Sequence, residues 1–234
     1  MNQILIGCPV FDRGWILDEW FKHSYQALIN TGLNGGYVFV LDRRSQADLA
    51  VIAKYLDVLD IEIVFVKEEL TAYKRDWNPS RYEFMVYLRN TLLSKVRELK
   101  PDFFLSLDSD ILVHPGSINN LIESVDKYNA VGGKLYMSKG RHHPSYAMLK
   151  RHGLHRPDCS GIMKVDVIMA MKLMTPSAYN VDYRVHSYGE DIGWSQSCVE
   201  EGLMLGWDGR ITNRHVMEKK YYGLKDGRTD WCDI

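Results

Sequence analysis

Phe103-Phe104-Leu105-Ser106-Leu107-Asp108-Ser109-Asp110 reads as an apolar strand that ends in two carboxylates. A strand of this kind is buried, and its carboxyl end opens on the crevice where α/β proteins hold ligands. Asp108 and Asp110 are two residues apart, so on an extended backbone both side chains lean the same way. Two close carboxylates repel unless a cation sits between them or one takes a proton. A hard divalent ion with oxygen ligands satisfies them. An Asp-rich turn after a strand satisfies them equally, because Asp favours turns and caps.

Working outward, the segments before this strand alternate. Ile4 to Cys8 reads as a strand and Trp15 to Asn30 as an amphipathic helix. Gly35-Gly36 reads as a break before a second strand, Tyr37 to Leu41, which ends at Asp42. Ala47 to Leu56 reads as a helix, Ile61 to Val66 as a third strand, and Ser80 to Leu99 as a long helix stopped by Pro101. Strands separated by helices of this length predict a mostly parallel sheet with helices on both faces. The second half is less regular. Gly132-Gly133, Gly140, Pro144, Gly153 and Pro157 break up residues 132 to 159. A strand-like piece then starts at Gly161, a helix at about Val165, a second helix spans Glu190 to Glu201, and Ile211-Thr212 is the last strand-like piece. Met163, Met169, Met171 and Met174 read as core filler. The expected organisation is one domain over residues 1–234. Residues 1–115 form a ligand-binding half, 116–216 a smaller second half, and 217–234 a tail able to act as a lid.

Composition bounds the function. A hydrophobic share of 46%, a charged share of 25% and a formal charge of -1 describe an ordinary globular chain, not a surface built throughout for nucleic acid or anionic lipid. Cys8, Cys159, Cys198 and Cys232 are scattered and form no C-x-x-C pair; they read as reduced thiols rather than a disulfide frame or zinc site. No apolar run approaches the roughly 18 residues of a membrane span. Met1-Asn2-Gln3 lacks the features of a signal peptide, so a cytoplasmic location is expected.

Two further clusters carry chemistry. Gly189-Glu190-Asp191 opens a helix, where the dipole and free N–H groups favour negative charge. The same field keeps a carboxylate ionised, as a general base requires. His215, in Asn213-Arg214-His215, is either a hydrogen-bonded surface residue or a third ligand to an ion held by carboxylates.

In this order the signals resemble the glycosyltransferases of the GT-A fold, most closely the family 2-like members. The resemblance rests on Ile4 to Arg13 as first strand and polar turn, Asp42 after the second strand, Arg89-Asn90, the D-x-D of Asp108-Ser109-Asp110, Ser160-Gly161-Ile162-Met163 as acceptor strand, Gly189-Glu190-Asp191, and a trailing Gly202, Gly206 to Thr212 and His215. It implies an α/β, Rossmann-like GT-A sheet and an enzyme moving a sugar from a nucleoside diphosphate donor, a UDP-sugar being the first expectation, to an acceptor hydroxyl. Pro9, Asp12, Arg13, Asp42, Arg89 and Asp108 would line the donor pocket, with Asp42 reading base or ribose. Asp108, Asp110 and His215 would hold Mn²⁺ or Mg²⁺. Asp191 would be the base of an inverting attack and Glu190 would position donor or acceptor. Ser160, Gly161 and Trp194 would contact the acceptor. Lys219 and Lys220 either close over the diphosphate or are a solvated charge run.

The basic segment 139–158, with Arg141, His142, His143, Lys150, Arg151, His152, His155 and Arg156, is either a solvated loop or an acceptor-facing surface for an anionic partner, with Tyr146 as a stacking face. The acceptor is then a glycan or a hydroxymethylated base in DNA. Two other functions use the same residues: a haloacid dehalogenase-like phosphatase acting through Asp108 and Asp110, and a nucleotide-sugar or glycan-binding module without turnover.

Overall fold

A computed structural model describes residues 3–66, 79–137, 141–143, 146–150, 153–155 and 160–222. The first half follows the strand–helix alternation of the sequence. It comprises β1 (Gln3–Val10), α1 (Leu17–Ile29), β2 (Asn34–Leu41), α2 (Gln46–Ala53), β3 (Ile61–Phe65), α3 (Pro79–Leu99) and β4 (Phe103–Leu107). These four strands pair in parallel, in the order β3-β2-β1-β4. Successive side chains point to opposite faces, and both faces are covered. Ile4, Ile6, Cys8, Tyr37, Phe39, Leu105 and Leu107 pack under α1 and α2. Leu5, Val38, Val40 and Phe104 pack under α3. Burial on both sides is why β1, β2 and β4 are mostly apolar instead of alternating with polar residues.

The second half contains β5 (Ile111–Leu112), α4 (Ser117–Val125), β6 (Ala130–Met137), β7 (Arg141–His143), β8 (Tyr146–Lys150), β9 (Gly153–His155), β10 (Ile162–Val165), β11 (Val167–Ile168), β12 (Met171–Met174), α5 (Pro176–Tyr179), α6 (Glu190–Glu200) and β13 (Leu205–His215). A 3₁₀ turn, Lys219–Tyr221, follows. The central sheet continues through it as β4-β12-β6-β13-β10, with β12 antiparallel to β4 and to β6, and β13 parallel to β6. Strands β11, β8 and β9 form a second small sheet. One sheet thus runs through both halves of the chain.

Three expectations change. The helix expected from Val165 is instead the strands β11 and β12. Met171-Lys172-Leu173-Met174 is buried at all four positions between β4 and β6, and tertiary pairing overrides the helical preference of Met, Lys and Leu. Gly132-Gly133 lies inside β6: a Cβ on Gly133 would meet the Met171 sulfur at 2.9 Å, so the missing side chain makes room for the neighbouring strand. Gly35-Gly36 likewise belongs to β2, where a Cβ on Gly35 would sit 2.5 Å from Leu28 of α1. Cys8 and Cys198 are buried free thiols; Cys159 and Cys232 lie outside the described residues. Among the described residues no helix is long and apolar enough to cross a membrane.

Candidate active site at the carboxyl edge of the sheet

Parallel strands place their carboxyl ends on one edge, and there the turns after β1 and β4 meet the end of β13. They enclose a cavity of about 520 Å³. Its wall includes Pro9 near the end of β1 and Phe11, Asp12 and Arg13 after it, Arg89 on α3, Asp108, Ser109 and Asp110 after β4, and His215 at the end of β13 with Met217 and Glu218 beyond it.

Each functional side chain is held by a traceable local cause. Trp20, in an aromatic cluster with Phe21, Tyr37 and Phe39, donates its indole N–H to the Asp108 carbonyl at 3.1 Å. β5 pairs with β13, His215 opposite Ile111, which brings the imidazole Nε2 to 3.2 Å from Asp110 Oδ1. The turn after β1 is fixed by Asp48 of α2, whose carboxylate accepts the Asp12 and Arg13 backbone N–H groups at 2.9 and 2.7 Å. Asp12, Ala170 and Met217 are non-glycine residues with φ near +50°, at 53°, 53° and 52°. Strain of this kind costs about 1–3 kcal/mol each and clusters at functional sites. Asp12 and Met217 line the cavity, and Ala170 is hydrogen-bonded to both Asp108 of the motif and Asp191 of α6.

The two carboxylates of the motif meet cations. Arg13 reaches Asp110 Oδ2 at 3.1 Å, and Arg89, almost fully buried, reaches Asp108 Oδ1 at 2.5 Å and Ser106 Oγ at 3.3 Å. The like-charge problem posed by the spacing is thus met by two guanidinium groups. Burial pulls the Arg89 pKa down, but Asp108 beside it outweighs this and holds it well above the usual value. Asp110 and His215 converge at the cavity; carboxylate with imidazole is a donor set that suits Mn²⁺, and the carboxylate alone suits Mg²⁺. Asp108 is turned to Arg89, and no group of three His, Cys, Asp or Glu poised around one ion occurs among the described residues.

Gly189, whose φ of 118° suits only glycine, caps α6; Glu190 and Asp191 in the first turn of this helix are not in the cavity wall but lie behind it, next to Arg89. Asp191 Oδ2 accepts the Ala170 N–H at 3.1 Å and Oδ1 is ion-paired with Lys172. The Ala170 carbonyl in turn accepts the Asp108 N–H at 3.1 Å. One residue thus ties the helix carboxylate to the motif. Burial pushes the Asp191 pKa up, yet Lys172 and Arg89 outweigh it and hold it below the ordinary carboxylate value. Glu190 is pushed up to about 7, by burial first and by Asp191 second. Its Oε1 lies 3.9 Å from Arg89 Nε.

Other expected residues stand apart. Asp42 is buried and bonded to Arg44, with the guanidinium at 2.7 Å and the backbone N–H at 2.9 Å, and it is not in the cavity wall. Trp194 is fully buried, 5.7 Å from the Tyr183 ring; it is a floor beneath the site, with no surface for an acceptor. Ser160 and Gly161 lie at the start of β10 and do not line the cavity. Lys220 pairs with Glu218 at 2.7 Å, and Lys219 is exposed outside the wall. Tyr146 is buried with its ring 4.1 Å from Trp207, so it is not an exposed stacking face. The basic side chains of 139–158 lie outside the described residues, as does the tail from residue 223. The sequence reading missed Arg81, Phe84, Met85 and Leu88, which share a face of α3 with Arg89 at spacings of three and four. That periodicity was the available signal. Phe11, Met217 and Glu218 were also missed, and the sequence offered no comparable mark for them.

No family model matches the chain, and no curated protein matches it in sequence. Its structure is similar to solved ones. S. aureus TarS 1-349 in complex with UDP-GlcNAc superposes with a TM-score of 0.60 at 11% identity, over 93% of this chain and 59% of that one. A mannosyltransferase from Pyrobaculum calidifontis in complex with GDP-Man and Mn²⁺ gives 0.62 at 10% identity, over 94% and 58%. A nucleoside-diphosphate-sugar pyrophosphorylase from Vibrio cholerae gives 0.55 at 8% identity, over 93% and 97%. The chain therefore spans less than two thirds of the length of the first two. Sheet order, the position of the D-x-D turn and these likenesses agree that the chain has the GT-A fold.

Proposed function

We propose that the protein is a glycosyltransferase that moves a sugar from a nucleoside diphosphate donor to an acceptor hydroxyl with inversion. The observation that carries this reading is the cavity at the carboxyl edge. It joins Asp108, Asp110, Arg13 and Arg89 in one wall, with an ionised Asp191 held next to Arg89. Structures with this fold bind UDP-GlcNAc and GDP-Man, which supports a nucleotide-sugar donor without choosing between them.

Asp110 and His215, with Asp108 once released from Arg89, would hold Mn²⁺ or Mg²⁺. The ion would neutralise negative charge on the departing diphosphate. The chain's own groups do the rest. Arg13 and Arg89 place positive charge where the leaving oxygen gains negative charge, which favours the transition state over the ground state. The apolar face of Phe84, Met85 and Leu88 excludes water from one side of the cavity. Asp191 removes the acceptor hydroxyl proton as the oxygen attacks the anomeric carbon. The acceptor is a hydroxyl of a glycan or of a modified base, and the buried setting of Tyr146 gives the second no support.

The test is a panel of nucleotide sugars with Mn²⁺, reading nucleoside diphosphate release with and without a chelator. Release with at least one donor, lost on chelation, is expected. Asp191→Asn should lower turnover by about 10²–10⁴-fold and spare donor binding. Binding and release with no donor would overturn the reading. Phosphate release from a generic ester would favour a phosphatase.

A further inference from the structure

Lys172 stands in the middle of β12 with no exposed surface, among Met171, Leu173 and Met174. Its ammonium lies 5.5 Å over the Tyr183 ring and 5.3 Å over the Trp194 ring, and it is ion-paired with Asp191. Burying a charge in an apolar strand is costly, and an apolar side chain of similar length would serve the sheet as well or better. What Lys172 supplies is contact with one carboxylate in the first turn of α6, which sits behind the cavity wall next to Arg89. The second Asp191 oxygen is fixed by the Ala170 N–H, and the Ala170 carbonyl is fixed by Asp108. Glu190, one residue earlier, faces Arg89 instead.

Accepting the transfer reading above, we propose that Lys172 is its positioning residue. It clamps Asp191 from beneath, holds it against the end of β4, and separates the roles of two adjacent carboxylates. Asp191 takes the proton, while Glu190 stays beside Arg89. In the step, the acceptor O–H bond breaks and its proton passes to Asp191. The oxygen's electron pair forms the new bond to the anomeric carbon. The pair of the old glycosidic bond leaves on the diphosphate oxygen. Lys172 exchanges no proton.

The groups facing Asp191 are Lys172 from β12, Arg89 from α3, Glu190 on its own helix and Tyr183 from the loop before α6. Burial and Glu190 favour the protonated acid; Lys172 and Arg89 favour the anion. Without Lys172 the balance moves toward the acid, so activity should fail first at low pH.

The experiment is the pH profile of kcat, with donor KM, for the wild type and Lys172→Met, using whichever nucleotide sugar the panel identifies. Expected is a loss at pH 6 at least about tenfold greater than at pH 9, with donor KM unchanged. Equal loss at both pH values, or none, overturns the inference. Should the methionine variant fail to melt cooperatively, Lys172→Arg keeps the charge and moves it. It should lower kcat at least about tenfold with donor KM unchanged, and a wild-type kcat overturns the inference. Absence of nucleoside diphosphate release from the wild type at every pH overturns the transfer reading itself, and the role of Lys172 falls with it.

Discussion

Glu190 and Asp191 are neighbours on one helix, yet their surroundings drive their protonation apart. Such divergence is what lets adjacent carboxylates take different roles. Asp191 is held down by Lys172 and Arg89 against the effect of burial, whereas Glu190 is pushed up to about 7. The sign for stability follows from linkage. In the unfolded chain Glu190 titrates near its ordinary value, so between about pH 4.5 and 7 the folded state binds the extra proton and stability falls as pH rises. Above that window the penalty is fully present. Glu190→Gln should therefore melt above the wild type at pH 8, by up to about 3 kcal/mol, and converge with it near pH 4. Melting temperatures across that range check this, and a variant less stable at pH 8 would contradict it. At this scale the sequence pointed to residues conspicuous by type at strand and helix ends: Asp108, Asp110 and His215, which the structure brings to one cavity wall, and Glu190 and Asp191, which it places behind that wall. It did not reveal Lys172 or Asp48, because their importance comes from what faces them across the fold. Nor did it reveal that Arg44 pairs with the Asp42 carboxylate.

Among elements, α6 matters because its first turn carries both carboxylates. It approaches the preceding loop closely at Gly193, where a Cβ would lie 2.0 Å from the Arg184 carbonyl oxygen. Backbone cannot yield as a flexible side chain can, so Gly193→Ala must push α6 away from the preceding loop. Overpacking of this kind costs about 1–3 kcal/mol, which for a domain of this size lowers Tm by roughly 2–4 °C per kcal/mol. Turnover should fall further than stability alone explains, because Asp191 moves with the helix. Calorimetry beside nucleoside diphosphate release would separate the two effects, and wild-type values for both would refute the account. The first four strands were legible because each apolar run has strand length and is bounded by turns. The later ones were not. β6 carries Gly132-Gly133, which read as a break, and β12 is a run of good helix formers. Their strand identity comes from pairing on either side, which local pattern does not encode.

Across the whole molecule, the cavity is assembled from segments far apart in sequence: the turn after β1, a face of α3, the D-x-D turn and the end of β13. A ligand that contacts all four ties both halves of the chain together and binds only the folded state. It therefore stabilises by RT ln(1 + [L]/Kd), about 2.7 kcal/mol at a hundredfold excess over Kd, or about 5–10 °C at this size. With Mn²⁺ present, the nucleoside diphosphate of the true donor should raise Tm by that order, and other nucleotides by less. Part of the shift should need the metal. Asp110 meets both Arg13 and His215, so Asp110→Asn should abolish the Mn²⁺-dependent part while leaving a metal-independent part from Arg13 and Arg89. Thermal melts of the wild type and the variant, with nucleotide alone, Mn²⁺ alone and both together, measure the two contributions. If Asp110→Asn retains the full Mn²⁺-dependent shift, the ion is held elsewhere and the assignment of Asp110 and His215 as its ligands is wrong.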